Sequence, residues 1–218
     1  MIAVLASRFD QAACGLVEAW SSAGAVLVSA EDLCSPGWTW KAADPGCGEF
    51  VAAGAARPVA DLRGVVVRRP AVAAEELGWV HTLDRQYVAA ELNAFLVSWL
   101  DSLPCRVLNR PTATSLSGPA WSPLQWQVAA GRSGVAWTAQ PSTVQALDVI
   151  VCSRSVHGAR TVRQKNAARR LAAVSGAELL GIRYVGDAAT AVTTQPSLAS
   201  PAVREMVLGE LVHAKAPA

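Results

Sequence analysis

The chain has 218 residues, 52% of them apolar and only 17% charged, against a usual share of about 25%. That composition excludes a disordered chain and a Glu/Lys-rich coiled coil, and the length predicts one large or two small domains. With 19 basic and 17 acidic residues the net charge is +2, so no global field draws the chain onto nucleic acid or an acidic membrane.

Ile2 to Ala6 reads as a short buried strand. Asp10 is placed to cap a helix from Gln11 to Ala23, with Leu16, Val17 and Trp20 at helical spacing and Gly24 as its stop. Ala25 to Ser29 is a second strand, and this β-α-β order favours a parallel sheet. Cys34 to Pro58 is rich in Gly, Pro and Ala and reads as an irregular excursion or a pair of edge strands. Gly64 to Arg68 is the clearest strand and ends in Arg68-Arg69-Pro70. Residues past the carboxyl ends of strands in open α/β sheets face the ligand crevice, so these arginines are either anion ligands or a solvated strand end.

Asp84 to Leu103 is a helix with Val88, Leu92, Phe95, Leu96 and Trp99 in an apolar stripe, ended by Pro104. Arg106 to Asn109 forms a fourth strand, followed by Arg110 and Pro111. The Ser/Thr/Gly/Pro-rich stretch from Pro111 to Pro123 is the candidate domain boundary. Beyond it, a helix is predicted over Leu124 to Ala130 and strands over Val135 to Thr138 and Leu147 to Cys152. Ser155 to Thr161 pairs with the latter across Ser153-Arg154, and a helix follows over Val162 to Ser175, closed by Gly176. Two strands, Leu179 to Val185 and Ala191 to Thr194, turn at Gly186-Asp187; a helix over Ala202 to His213 and a disordered tail, Ala214 to Ala218, finish the chain.

No apolar run approaches a membrane span, because Glu91 and Asn93 interrupt the stretch from Val88 to Leu100. Met1 to Ala6 has no basic residue ahead of it and does not read as a signal peptide. The five cysteines are odd in number and form no C-x-x-C pair, which points to reduced thiols in a cytoplasmic protein rather than to disulfides or zinc. Rossmann, P-loop and nucleophile-elbow motifs are absent, and His81, His157 and His213 are too scattered to suggest a metal site. Arg160, Arg163, Lys165, Arg169 and Arg170 form a basic run that is either a solvated face or a patch for phosphate or an acidic partner. Of the eight tryptophans, Trp20, Trp79 and Trp99 are expected in the core. Trp38, Trp40, Trp121, Trp126 and Trp137 fall in loops or at element ends, where they either plug gaps between layers or form protein contacts.

Tyr87 to Pro111 carries Y-V-x-x-E-x-x-x-F-L-x-x-x-L-x-S-L and then V-L-N-R-P. This resembles the pre-ATP-grasp domain of ATP-grasp enzymes of the glutathione-synthetase-like and ribosomal-protein-modifying kind. Leu124 to Thr138 (LQWQVAAGRSGVAWT) is similar to the family's K-x-x-Q helix, turn and strand. Leu171 to Gln195 is similar to its helix, G-I-D strand, turn and E-V-N strand. The resemblance implies an α/β fold: a parallel-sheet pre-ATP-grasp-like domain over 1–112, then a small α+β remnant of an ATP-grasp domain over 113–218.

The resemblance also implies a carboxylate–amine ligase using ATP and magnesium, and the sequence departs from it at the residues that matter. The phosphate-binding lysine falls near Ser122-Pro123. Arg183, Thr193 and Gln195 stand where the family has its metal-holding Asp, Glu and Asn. Magnesium takes hard oxygen ligands, and an arginine repels it. Where the family carries lid strands, only Ala139 to Ala146 remain. The expectation is a degenerate, non-catalytic protein that needs no cofactor or metal. It would bind a small anionic ligand, or serve in a homo-oligomer or as partner subunit of an enzyme, without nucleic acid or membrane. Arg68, Arg69, Tyr87, Glu91, Asn109 and Arg110 would line the surviving crevice with Arg183 and Gln195. The alternative is a divergent but working ATP- and magnesium-dependent ligase.

Overall fold

The computed structural model describes residues 1–138 and 146–213. The chain divides into two compact units, Met1–Ser117 with the chain end from Leu211, and Gly118–Glu210. The expectations for the short lid segment and for the tail fall almost wholly on 139–145 and 214–218, outside the described residues. Among the described residues no helix is long and apolar enough to cross a membrane.

The first unit opens with β1 (Ile2–Leu5) and α1 (Gln11–Ala19). Asp10 caps α1 by accepting from the Ala13 amide at 3.0 Å. The helix stops sooner than Ala23 because the chain tightens into a 3₁₀ turn over Ser21–Ala23, and Gly24 takes the left-handed conformation (φ 71°) that releases it into β2 (Ala25–Val28). Then come α2 (Ala30–Leu33), the hairpin β3 (Glu49–Ala52) and β4 (Ala55–Pro58), β5 (Gly64–Val67), α3 (Arg85–Ser102) and β6 (Arg106–Leu108). The sheet has the order β2-β1-β5-β6 and is parallel throughout, with Ile2 level with Ala25 and Gly64, and Gly64 with Arg106. All four residues of β1 and of β5 are buried, as continuous apolar runs in a parallel sheet require.

The predicted excursion is the two-stranded sheet β3-β4, and its preceding loop is held by aromatic rings. Trp38 packs edge-on against Trp99 (5.1 Å between centroids) and Phe95 (5.4 Å), and Trp40 against Phe95 (6.0 Å). Their indole N–H groups donate to Asp32 O (2.8 Å) and Ser102 Oγ (3.2 Å). For these two tryptophans the open question is answered: they plug the core beside α3. Trp20 and Trp99 are core residues as expected, but Trp79 is 47% exposed. It sits in the loop ahead of α3.

The second unit begins with α4 (Pro123–Arg132) and continues through β7 (Ala136–Trp137), β8 (Leu147–Cys152), β9 (Ser155–His157), α5 (Val162–Ser175), β10 (Leu179–Val185), β11 (Ala188–Thr193) and α6 (Pro201–His213), whose last turn belongs to the first unit. The sheet order is β7-β11-β10-β8-β9, antiparallel except for β7 against β11. One face carries Val149, Val151, Leu180, Ile182 and Tyr184, packed with Trp126, Ala168 and Leu171 from α4 and α5. Trp126 therefore lies inside a helix and is 5% exposed, not in a loop. Successive strand residues alternate faces, so Asp148, Ile150, Gly181 and Arg183 point the other way.

Candidate functional site

In the first unit four of the six expected residues, Arg68, Arg69, Asn109 and Arg110, make contacts within the fold. Arg68 follows β5 with its side chain 10% exposed, and its Nε lies 3.4 Å from Asp10 Oδ2. Arg69 is 4% exposed, pairs with Glu76 and donates through Nε to Ala71 O at 3.0 Å. Burial pulls its pKa down, while Glu76 pulls it back up. Arg110 lies over the end of α3 and donates to the carbonyls of Leu100, Asp101, Leu103 and Cys105 at 2.7–3.4 Å. A cation at a helix C-terminus satisfies carbonyls that have no partner within the helix. Asn109 is buried and donates through Nδ2 to Ser117 O at 3.4 Å. Tyr87 and Glu91 are exposed on α3.

A residue the sequence reading passed over, Asn93, does the work on the inner side of α3. Its Oδ1 accepts from Val72 N at 2.8 Å and its Nδ2 donates to Val72 O at 3.0 Å, tying the helix to the loop after β5. The signal was an amide inside an apolar helical stripe.

In the second unit the structure brings Arg183 and Gln195 together. Both line a cavity of about 290 Å³ on the face of the sheet away from α4 and α5, with Asp148, Gly181, Thr193 and Pro196. The register explains the grouping: Arg183 is level with Asp148 on β8, and Gly181 with Thr193 on β11. A Cβ on Gly181 would lie 2.8 Å from Pro196 Cβ, so glycine is what lets the segment after β11 fold across β10 as a wall of the cavity. The Gln195 amide donates to Thr193 Oγ1 at 3.0 Å and holds that turn.

Arg183 and Asp148 form a two-pronged ion pair, Nε to Oδ1 at 3.0 Å and one terminal nitrogen to Oδ2 at 3.3 Å. Its hydrogen bonds and charge raise the Arg183 pKa, so the cation is permanent. These residues do not fit a magnesium–nucleotide pair. The one carboxylate lining the cavity has both oxygens committed to a guanidinium, and Thr193 and Gln195 offer only neutral oxygens. Among the described residues no three His, Cys, Asp or Glu side chains gather into a metal-holding group. At the position the resemblance assigns to a lysine, Ser122 and Pro123 are the cap and first residue of α4, with Ser122 and Gln125 in a reciprocal capping box.

The sequence matches no family model and no curated protein. Its fold, however, has solved counterparts. The ATP-grasp ligase PsnB, complexed with a phosphomimetic variant of its minimal precursor, Mg and ADP, superposes with a TM-score of 0.63 at 13% identity, over 91% of this chain and 90% of that one. The macrocyclase MdnC from Microcystis aeruginosa MRC, bound with precursor peptide MdnA, gives 0.70 at 9% identity, over 98% and 100%. A Chryseobacterium gregarium RiPP-associated ATP-grasp ligase in complex with ADP and a leader and core peptide gives 0.66 at 11%, over 99% and 97%. At such identities the likeness concerns the fold, and on that ground this chain has an ATP-grasp-like fold.

Proposed function

We propose that this protein is a non-catalytic ATP-grasp-like protein, which binds a small anionic ligand or a partner enzyme without metal or nucleotide. The observation that carries this reading is the Arg183–Asp148 ion pair in the cavity shared with Thr193 and Gln195. On the positions the resemblance assigns, a cation stands where a ligase would hold an acid, and it engages the carboxylate lining the same cavity. Carboxylates are the class of anion the cavity suits, because Arg183 can exchange Asp148 for an incoming carboxylate with the same forked geometry. The precursor peptides held by PsnB and MdnC support a peptide as the source of such a group.

Thermal melting tests the proposal. A ligand bound at roughly 100 times its Kd adds about 2.7 kcal/mol, which raises the melting temperature of a chain this size by about 5–10 °C. ATP with magnesium is expected to give no such rise, and a panel of amino-acid acceptors no ADP release. A magnesium-dependent rise accompanied by ADP release would establish the divergent ligase instead.

A further inference from the structure

The opposite face of the second unit's sheet carries another cavity, also of about 290 Å³. It opens at the start of α5, and Thr161, Arg163 and Gln164 line it together with Gly134, Tyr184 and Asp187. An α-helix cannot satisfy its own first amides. Here the Gln164 amide is taken by Thr161 Oγ1 at 3.1 Å, and the Gln164 side chain accepts from the Arg160 amide at 2.8 Å. The amides of Val162 and Arg163 stand at the positive end of a 14-residue helix, beside the exposed Arg163 guanidinium. Of the basic run, Arg163 lines the cavity, while Arg169 and Arg170 donate to the carbonyls of Arg154 and Ser133.

A second observation is independent of the helix end. Tyr184 is 2% exposed, and its hydroxyl is buried with no partner among the described residues. A buried hydroxyl without a hydrogen bond costs about 1–3 kcal/mol. Burial pushes its pKa up to about 12, and at neutral pH the phenol carries its proton. Asp187, on the β10–β11 turn, also lines the cavity and carries a charge opposite to that of Arg163.

We propose that this cavity is a second ligand site, for a small tetrahedral oxyanion such as the phosphate group of a phosphate monoester, held by Arg163, the first amides of α5 and the Tyr184 hydroxyl. It lies on the face of the sheet opposite Arg183 and does not depend on what binds there. The test is an amide NMR titration of the full chain with inorganic phosphate at constant ionic strength. The Val162, Arg163 and Gln164 amides should shift along a saturating curve. Arg163→Ala should weaken binding by about tenfold or more, and Tyr184→Phe by about threefold or more, as lost hydrogen bonds to a charged group do. Arg183→Ala should leave the curve unchanged. Arg163 is exposed, and Phe keeps the Tyr184 ring, so both variants should fold, which their spectra verify directly. Shifts that grow linearly without saturation, or equal affinity in either Arg163→Ala or Tyr184→Phe, would overturn the assignment.

Discussion

The Arg183–Asp148 pair adds little to stability. Both side chains are about half exposed, and ion pairs of that kind contribute at most about 1 kcal/mol. Cys105 behaves differently. It is buried, and burial is the leading cause that pushes its thiol from 9.0 up to about 11. Above its ordinary pKa the unfolded thiol loses its proton while the folded one keeps it, so the unfolded state is favoured as pH rises. The stability this group contributes is whole below about pH 9 and is lost towards about pH 11. Urea unfolding at about pH 8 and about pH 10.5 should show the wild type losing roughly 2 kcal/mol more than Cys105→Ala. Equal losses in the two proteins would show that the folded thiol titrates normally. None of this was readable from an odd cysteine count, which speaks to pairing and not to burial.

At the scale of elements, much was legible because it is written locally. Asp10, Ser122 and Thr161 cap the helices that follow them, each accepting from an amide three residues on. The helix over Val162–Ser175 and the strands over Leu147–Cys152 and Leu179–Val185 have the extents their patterns predict. Pairings between distant elements were not legible. Nothing in LDVIVC says that Asp148 will stand level with a residue 35 positions on, because register is set by the fold of the whole sheet. Arg110 looked like a ligand because of its place after a strand, and only the packing of α3 beside β6 makes it a helix cap. Gly181→Ala places a methyl against Pro196 Cβ, so the segment after β11 must lift or β10 must bend. Overpacking of this sort costs about 1–3 kcal/mol, and thermal or urea unfolding should show it. A neutral substitution would mean that the wall of the Arg183 cavity is not held in place by that contact.

For the molecule as a whole, the order of elements is that of an ATP-grasp-like fold. The elements could be matched because apolar periodicity and helix ends survive large sequence change. The metal acids could be missed by position because three residues, Arg183, Thr193 and Gln195, stand at the points the resemblance assigns to them. The structure adds what the residue types alone could not show: Arg183 has a fixed partner, and the partner is the cavity's carboxylate. With its carboxylate engaged by Arg183, this cavity is expected not to seat a divalent ion. Crystals soaked with manganese and ADP test it directly, because manganese scatters anomalously and substitutes for magnesium at oxygen sites. The account predicts no anomalous peak among Asp148, Arg183, Thr193 and Gln195, with the ion pair intact. A peak coordinated by Asp148, with Arg183 swung away, would contradict it.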